Sequence, residues 1–294
     1  MKSKETKERF DIYSMITDRI IEQLNKGVIP WNKPWTGTSN GAISRSTGRP
    51  YSLINQIMLE EPGEYVTLRQ VQNEKGKVNK GAKSHIVVFW KLYKKEETDE
   101  SGEKTTRTIP VLRYYRVFGV DDTTLDPKYY GTENLPEPIE PDKVAEKIIL
   151  EYINNNGPHY TSEKSNRAFY VPSTDSVVVP AIEQFSDKSE YYSTAFHELT
   201  HSTGHKSRLD RFEEGAKSAA FGSTEYSKEE LTAEIGAATL NNICGIETPE
   251  SFRNSTAYCQ GWANHLKGNV KEIVGASARA EKAVNWILNG KPEK

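Results

Sequence analysis

The sequence predicts an α+β protein of two domains, and three observations carry that reading. At 294 residues the chain exceeds the length that one hydrophobic core usually serves. Apolar residues recur at helical spacing near both ends, whereas β-branched and aromatic runs fill residues 86–92, 109–118, 168–171 and 177–179. Charge divides as well: residues 1–122 hold 21 Lys+Arg against 16 Asp+Glu (net +5) and the remainder 18 against 25 (net −7), together the chain's −2. A basic N-terminal part suits a polyanionic partner, and an acidic C-terminal part does not.

The elements follow in chain order. Phe10, Ile12, Tyr13, Ile16, Ile20, Ile21 and Leu24 predict a helix over 8–25 that Gly27 ends, followed by a turn rich in Trp and Pro. Two β-rich runs then flank a charged stretch, Lys94–Arg107, which reads as an exposed hairpin tip. Pro127, Pro136, Pro138 and Pro141 mark a connection, so the boundaries expected are a domain over 1–125, a linker over 126–141 and a second domain over 142–294. The second domain opens with a helix near Asp142, passes through a short hairpin around Ser173-Thr174-Asp175-Ser176, and ends in helices near 228–243, 254–268 and 270–289. Trp262, Leu266, Ile273, Val274, Ala283 and Trp286 read as core. Cys244 and Cys259 match no zinc or redox spacing and read as free thiols. No apolar leader and no run of 18 apolar residues occurs, so a cytoplasmic protein without a membrane partner is expected.

His197-Glu198-Leu199-Thr200-His201 carries the chemistry. Residues i and i+4 share a helix face, so two imidazoles can reach one zinc, while Glu198 is angled to act as general base on a water there. Tyr192, Ala195, Phe196 and Leu199 form one apolar stripe, placing the motif on a buried helix that Gly204 stops. Catalytic zinc needs a third protein ligand. A metzincin-type histidine is excluded, because Ser207 occupies its position; His205 reads as a helix-terminal group supporting the ligands. The alternative is a glutamate from a later helix, as in thermolysin-like enzymes. Ser227 can cap such a helix with Glu230 as its capping-box partner, yet Glu230 and Glu234 lie one turn apart above small residues that permit close helix approach. Glu230 is assigned to the metal and Glu234 to orienting a ligand histidine; the reverse assignment stays open. Zinc is the expected ion, with manganese and cobalt as alternatives.

In the N-terminal part Trp31, Trp35, Tyr51, Trp90, Tyr93, Tyr114 and Tyr115 lie among Lys33, Arg45, Arg49, Lys75, Lys77, Lys80, Lys83 and Arg113. Rings stack on unpaired bases and cations follow phosphates, which is the composition of a single-strand binder. The DNA-binding candidates are Trp31, Lys33, Trp35, Arg49, Tyr51, Lys80 and Lys83.

Several motifs carry a family resemblance. Asp11-Ile12-Tyr13, Gly27-Val28-Ile29-Pro30-Trp31-Asn32-Lys33-Pro34-Trp35, Thr47-Gly48-Arg49-Pro50-Tyr51 and Val78-Asn79-Lys80-Gly81-Ala82-Lys83 resemble the N-terminal domain of ArdC-type antirestriction proteins, a domain that also fronts conjugative plasmid primases. Phe196 to His205, Ser207 to Arg211 and Tyr226 to Ala238 are similar to the same family. The resemblance implies a single-stranded DNA-binding domain joined to a zincin-like metallopeptidase domain, carried on mobile elements to shield incoming DNA from host restriction. A protein substrate is compatible with it, and no oligomeric state follows. Where the family often has an aromatic residue after the second zinc histidine, this chain has Ser202.

Overall fold

A computed structural model describes residues 11–32, 41–59, 61–98, 104–129, 141–185, 187–212, 224–246 and 256–290. The first helix, α1 (Ile12–Asn25), starts where Asp11 accepts a hydrogen bond from the Tyr13 backbone N–H at 3.0 Å. It buries Ile16, Ile20, Ile21 and Leu24, and Gly27 turns the chain away at φ +76°. A four-stranded sheet follows in the order β1-β2-β4-β3, from β1 (Ala42–Ser44), β2 (Gly63–Val66), β3 (His85–Thr98) and β4 (Lys104–Gly119). β1 and β2 are parallel and the other pairings antiparallel. Two short helices, α2 (Leu53–Leu59) and α3 (Leu68–Asn73), fill the connections; Thr67 and Gln70 form a reciprocal capping box at the start of α3.

The expected hairpin tip is shorter than its charge suggested. β3 and β4 stay in register from His85↔Val117 to Thr98↔Lys104, so most of Lys94–Arg107 is strand. A ribbon wet on both faces has no apolar alternation to betray it. Asn55 of α2 anchors the root of this arm by donating to Val88 O and accepting from Val88 N, each at 2.7 Å.

The C-terminal region begins with α4 (Pro141–Asn154) and a three-stranded sheet, β5-β7-β6, from β5 (His159–Glu163), β6 (Phe169–Val171) and β7 (Ser176–Pro180). β6 and β7 form the expected hairpin; β5, parallel to β7, adds a strand that no local pattern announced. Among the described residues four helices complete it: α5 (Lys188–Ser202), α6 (Thr224–Cys244), α7 (Thr256–Gly268) and α8 (Glu272–Asn289). Asp187 caps α5 through the Ser189 N–H at 2.8 Å. α6 starts at Thr224, so Ser227 lies inside it rather than at its cap.

The expected domain boundary is not a break in packing. Ile16, Ile20 and Leu24 of α1, Trp31, and Ile57 of α2 share one core with Leu231 and Ile235 of α6, Leu266 of α7 and Ile273 of α8. A second core joins α4, β7, α5, α6 and α8 around Tyr152, Val177, Phe196, Leu199 and Leu240. Of the expected linker, residues 130–140 lie outside the described residues, while its first part is held: the backbone N–H groups of Lys128 and Tyr129 donate to Glu64 Oε2 at 2.9 and 2.7 Å. Cys244 and Cys259 are buried free thiols. Among the described residues no helix is long and apolar enough to cross a membrane.

Candidate functional site

One turn of α5 sets His197 and His201 side by side, their Nε2 atoms 3.1 Å apart. Glu230 of α6 closes the group, with Oε2 3.5 Å from His197 Nε2 and Oε1 3.5 Å from His201 Nε2. Four ligands at about 2.0–2.1 Å from a tetrahedral ion lie about 3.4 Å from one another. Each histidine faces its own Glu230 oxygen at about that distance, and one ligand atom from each of the three residues lies within 4.8 Å of the others, so the donor set fits one divalent ion. The side chains of His197 and Glu230 keep 21% and 25% of their exposure, which leaves one side of the cluster open to water.

Two glycines make this approach possible. A Cβ on Gly236 would stand 2.6 Å from Thr200 Cγ2, so α6 can lie against the histidine helix only because that position has no side chain. A Cβ on Gly204 would meet the Phe212 ring at 2.6 Å. There the chain leaves α5 and folds back, bringing Arg208 and Arg211 over the helix end: Arg208 Nε donates to Ser202 O at 2.9 Å and an Arg211 N–H to Thr200 O at 2.9 Å.

The charge around His197 is informative. Burial alone would lower its imidazole, but Glu230, with Glu234 and Glu198 at longer range, outweighs burial and lifts it to about 9. Three carboxylates around one imidazole make a pocket that attracts a cation. Glu198 is itself buried, 9% exposed, on the same helix.

His201 is oriented by Glu229, whose Oε1 lies 3.2 Å from His201 Nδ1. Burial would raise the Glu229 carboxyl; His201 and Arg211 more than reverse this and hold it at about 2. Arg211 clasps the same carboxylate through two N–H groups, at 2.6 and 3.1 Å, and donates to Thr203 Oγ1 at 2.6 Å. An ionised Glu229 accepts the Nδ1 proton, which turns the lone pair of Nε2 toward Glu230.

Sequence reasoning gave this orienting role to Glu234. The acid at His201 Nδ1 is instead Glu229, because Nδ1 points away from the cluster toward the preceding residue of α6 and toward Arg211; Glu234, half-buried one turn on, acts on His197 through its charge. Neither Glu229 nor Arg211 was singled out from the sequence, although both lie in quoted motifs, Tyr226 to Ala238 and Ser207 to Arg211. His205 stands apart: its Nδ1 is 2.8 Å from Ser207 Oγ and 3.8 Å from Asp175 Oδ2, so it belongs to the turn after α5 and not to the ligands.

The nucleic-acid candidates divide. Trp31 is 3% exposed and packs edge-to-face on Trp262 with ring centroids 6.3 Å apart; the turn Pro30–Asn32 folds its indole into the shared core, so it is no base platform. Lys33 and Trp35 lie outside the described residues. Arg49, Lys80 and Lys83 are exposed, and Tyr51 is half-buried with a side-chain hydrogen bond to Tyr115. Arg45 is structural, clasping Glu74 at 2.7–3.1 Å and also contacting Glu64. Five exposed aromatics are on the β3–β4 arm, Phe89 42%, Trp90 46%, Tyr93 38%, Tyr114 42% and Tyr115 37%; Tyr129 and Phe169 are exposed elsewhere.

Residues 10–118 match the family model for the N-terminal domain of the anti-restriction factor ArdC, and residues 149–279 that for a zincin-like metallopeptidase. The antirestriction ArdC protein of plasmid R388 superimposes with a TM-score of 0.71 at 32% identity, over 97% of this chain and 100% of that one. The chain belongs to the ArdC antirestriction family. The R388 ArdC structure is known metal-free and with Mn(II) bound; the Mn(II) form also gives a TM-score of 0.71. Two DNA primases TraC of Escherichia coli are 33% and 32% identical across 94% of this chain. The chain spans only 20% and 27% of their length, so it matches a part of each that carries both regions of an ArdC protein.

Proposed function

We propose that this ArdC-family protein protects incoming DNA of a mobile element from host restriction, by binding single-stranded DNA with its N-terminal region and using a divalent-metal centre in its C-terminal region. The observation that carries the reading is the clustering of His197, His201 and Glu230, with one ligand atom of each within 4.8 Å of the others, beside the buried carboxylate of Glu198, in a chain aligned end to end with an antirestriction protein. Zinc is the expected ion; the Mn(II) form of the R388 relative makes manganese an equal candidate.

When bound, a divalent ion supplies Lewis acidity for activating water and polarising a carbonyl. The protein's residues do the rest. His197, His201 and Glu230 hold the ion, and Glu229 with Arg211 keeps His201 in the tautomer that can do so. Glu198 takes the proton of the attacking water and passes it to the leaving amine of a peptide substrate. The open side of the cluster admits that substrate.

The test is plasmid transfer into restricting and non-restricting hosts. The wild-type protein should raise transfer only into the restricting host. Loss of protection in Glu198→Gln, with metal content unchanged, supports a hydrolytic step; full protection by that variant reduces the centre to a structural role. Absence of protection by the wild type would sink the antirestriction reading.

A further inference from the structure

We propose that single-stranded DNA lies along one face of the β3–β4 arm, the face bearing Phe89, Tyr93 and Tyr115 between four cations. This rests on the single-strand reading above and adds the surface that performs it.

Directly opposed residues of an antiparallel pair point to the same side. The register pairs Val87 with Tyr115, Phe89 with Arg113, Lys91 with Val111, Tyr93 with Ile109 and Lys95 with Arg107. One face therefore presents three rings and, between and beyond them, Lys91, Lys95, Arg107 and Arg113. All seven side chains are exposed, and no acid interrupts this face between rows 87/115 and 95/107. Five rows at about 6.8 Å make a track about 27 Å long.

The face has internal order that suits stacking. Phe89 and Tyr115 lie 5.7 Å apart across the strands, and the Lys91 ammonium sits 5.1 Å from the Tyr93 ring centroid, which puts a ring pair at one level of the track and a cation over a ring at the next. At its inner end Tyr115 is fixed by its hydrogen bond with Tyr51, so the candidate named from the sequence serves as a buttress of the same surface. Asn55 fixes the root of the arm on the core.

The opposite face is different. Its inner rows bury Val88 and Leu112 in the shared core beside the exposed rings of Tyr114 and Trp90, its outer rows carry Leu92 opposite Pro110, and the Arg116 guanidinium donates to Ser84 Oγ at 3.0 Å. Of the side chains described there, the cations are Lys94 and the Ser84-bound Arg116, against four on the first face. Rings flanked by cations recognise flat bases with a charged backbone, and bases offer their flat faces only when unpaired. The occupant that fits is a single strand.

Fluorescence anisotropy of labelled oligo-dT with the full chain, across a salt series, tests this. Tyr93→Ala should weaken binding about tenfold and Tyr93→Phe should restore it, since the ring and not the hydroxyl stacks. Arg113→Ala should lower the slope of log affinity against log salt by about one. Leu92→Ala, on the other face at 65% exposure, should bind as the wild type does. Unchanged binding by a folded Phe89→Ala/Tyr93→Ala double variant, while the wild type still binds, overturns the surface and leaves the single-strand reading standing. Equal affinity of the wild type for duplex also overturns it, because a stacked duplex needs only the cations. No binding by the wild type to any oligonucleotide removes both.

Discussion

Gly236→Ala perturbs the centre without touching a ligand. The added methyl would stand 2.6 Å from Thr200 Cγ2 and 2.8 Å from Thr200 Oγ1, where carbon atoms in contact sit about 3.5–4.0 Å apart, so the helices must separate by about 1 Å. Thr200 cannot yield. It is fully buried, its hydroxyl donates to Phe196 O at 2.7 Å, and both of its branches face the new methyl. Glu230 is six residues from Gly236, about 9 Å along the same helix, and moves with it. Edges of 3.1–3.5 Å would stretch beyond the span of one ion. Affinity for Mn(II) or Zn(II) should fall about 10–100-fold, the range seen when groups supporting metal ligands are altered.

Stability moves less. Alanine improves helix propensity by about 1 kcal/mol and overpacking costs about 1–3 kcal/mol, a net loss between nil and about 2 kcal/mol. The assays are competition with a chromophoric chelator and thermal unfolding with and without ion. The metal-induced rise in Tm should shrink while the metal-free Tm drops by a few degrees at most. Thr200→Ala added to Gly236→Ala makes room for the methyl and should recover metal affinity. Wild-type affinity in Gly236→Ala alone would refute the argument that this contact sets the helix spacing.

Three further outcomes are expected. Glu229→Gln loses the charge that orients His201 and leaves Arg211 facing a neutral amide, so metal affinity should fall about 10–100-fold by the same competition assay, with Glu198 unaltered. Asp175 is depressed below its ordinary 3.8, because the Arg208 pair outweighs burial; a depressed carboxyl stabilises the fold above its unfolded value and loses that contribution as pH falls through the folded one. Asp175→Asn keeps a residue tolerant of φ +47° but leaves the 1%-exposed Arg208 side chain without its charge partner, costing about 3 kcal/mol at neutral pH and flattening the loss of stability below about pH 4 in acid titrations. Trp31→Ala should destabilise by about 3–5 kcal/mol in denaturant unfolding while the folded fraction binds oligo-dT normally, which separates a core indole from a base platform.

What could be read from the sequence was local. The stripe Tyr192, Ala195, Phe196 and Leu199 sits within two turns, and it correctly put His197 and His201 on a buried helix; the hairpin before it was equally short-range. The small residues below Glu230 announced a close helix approach, and Gly236 against Thr200 is that approach. Glu229 escaped because adjacent helical positions differ by about 100° and spacing alone does not set the helix's rotation. Arg211 reaches Glu229 only through the fold-back after Gly204, a feature of tertiary packing. Trp31 misled for a plain reason: a tryptophan beside proline is as good a core plug as a stacking ring. The arm was underrated because Lys94–Arg107 lacks apolar alternation, the signal by which strands are recognised.

The shared core changes what the two proposed functions can mean for each other. Thr17 of α1 donates to Val270 O at 2.6 Å, the Leu53 N–H at the start of α2 donates to Glu281 of α8 at 3.2 Å, and Arg279 of α8 donates to Thr232 Oγ1 at 2.9 Å, on the helix that carries Glu229 and Glu230. α8 therefore touches both the helix that anchors the arm and the helix that completes the metal cluster. A cut at the expected linker would expose Leu231, Ile235 and Leu266 on one piece and Ile16, Ile20 and Trp31 on the other, so neither half should keep its full fold alone. The match to the primases agrees, because 94% of this chain aligns there as one block rather than as either half. Single-site variants on the arm or at the cluster, and not truncations, are the means of separating the proposed DNA binding from the proposed metal chemistry.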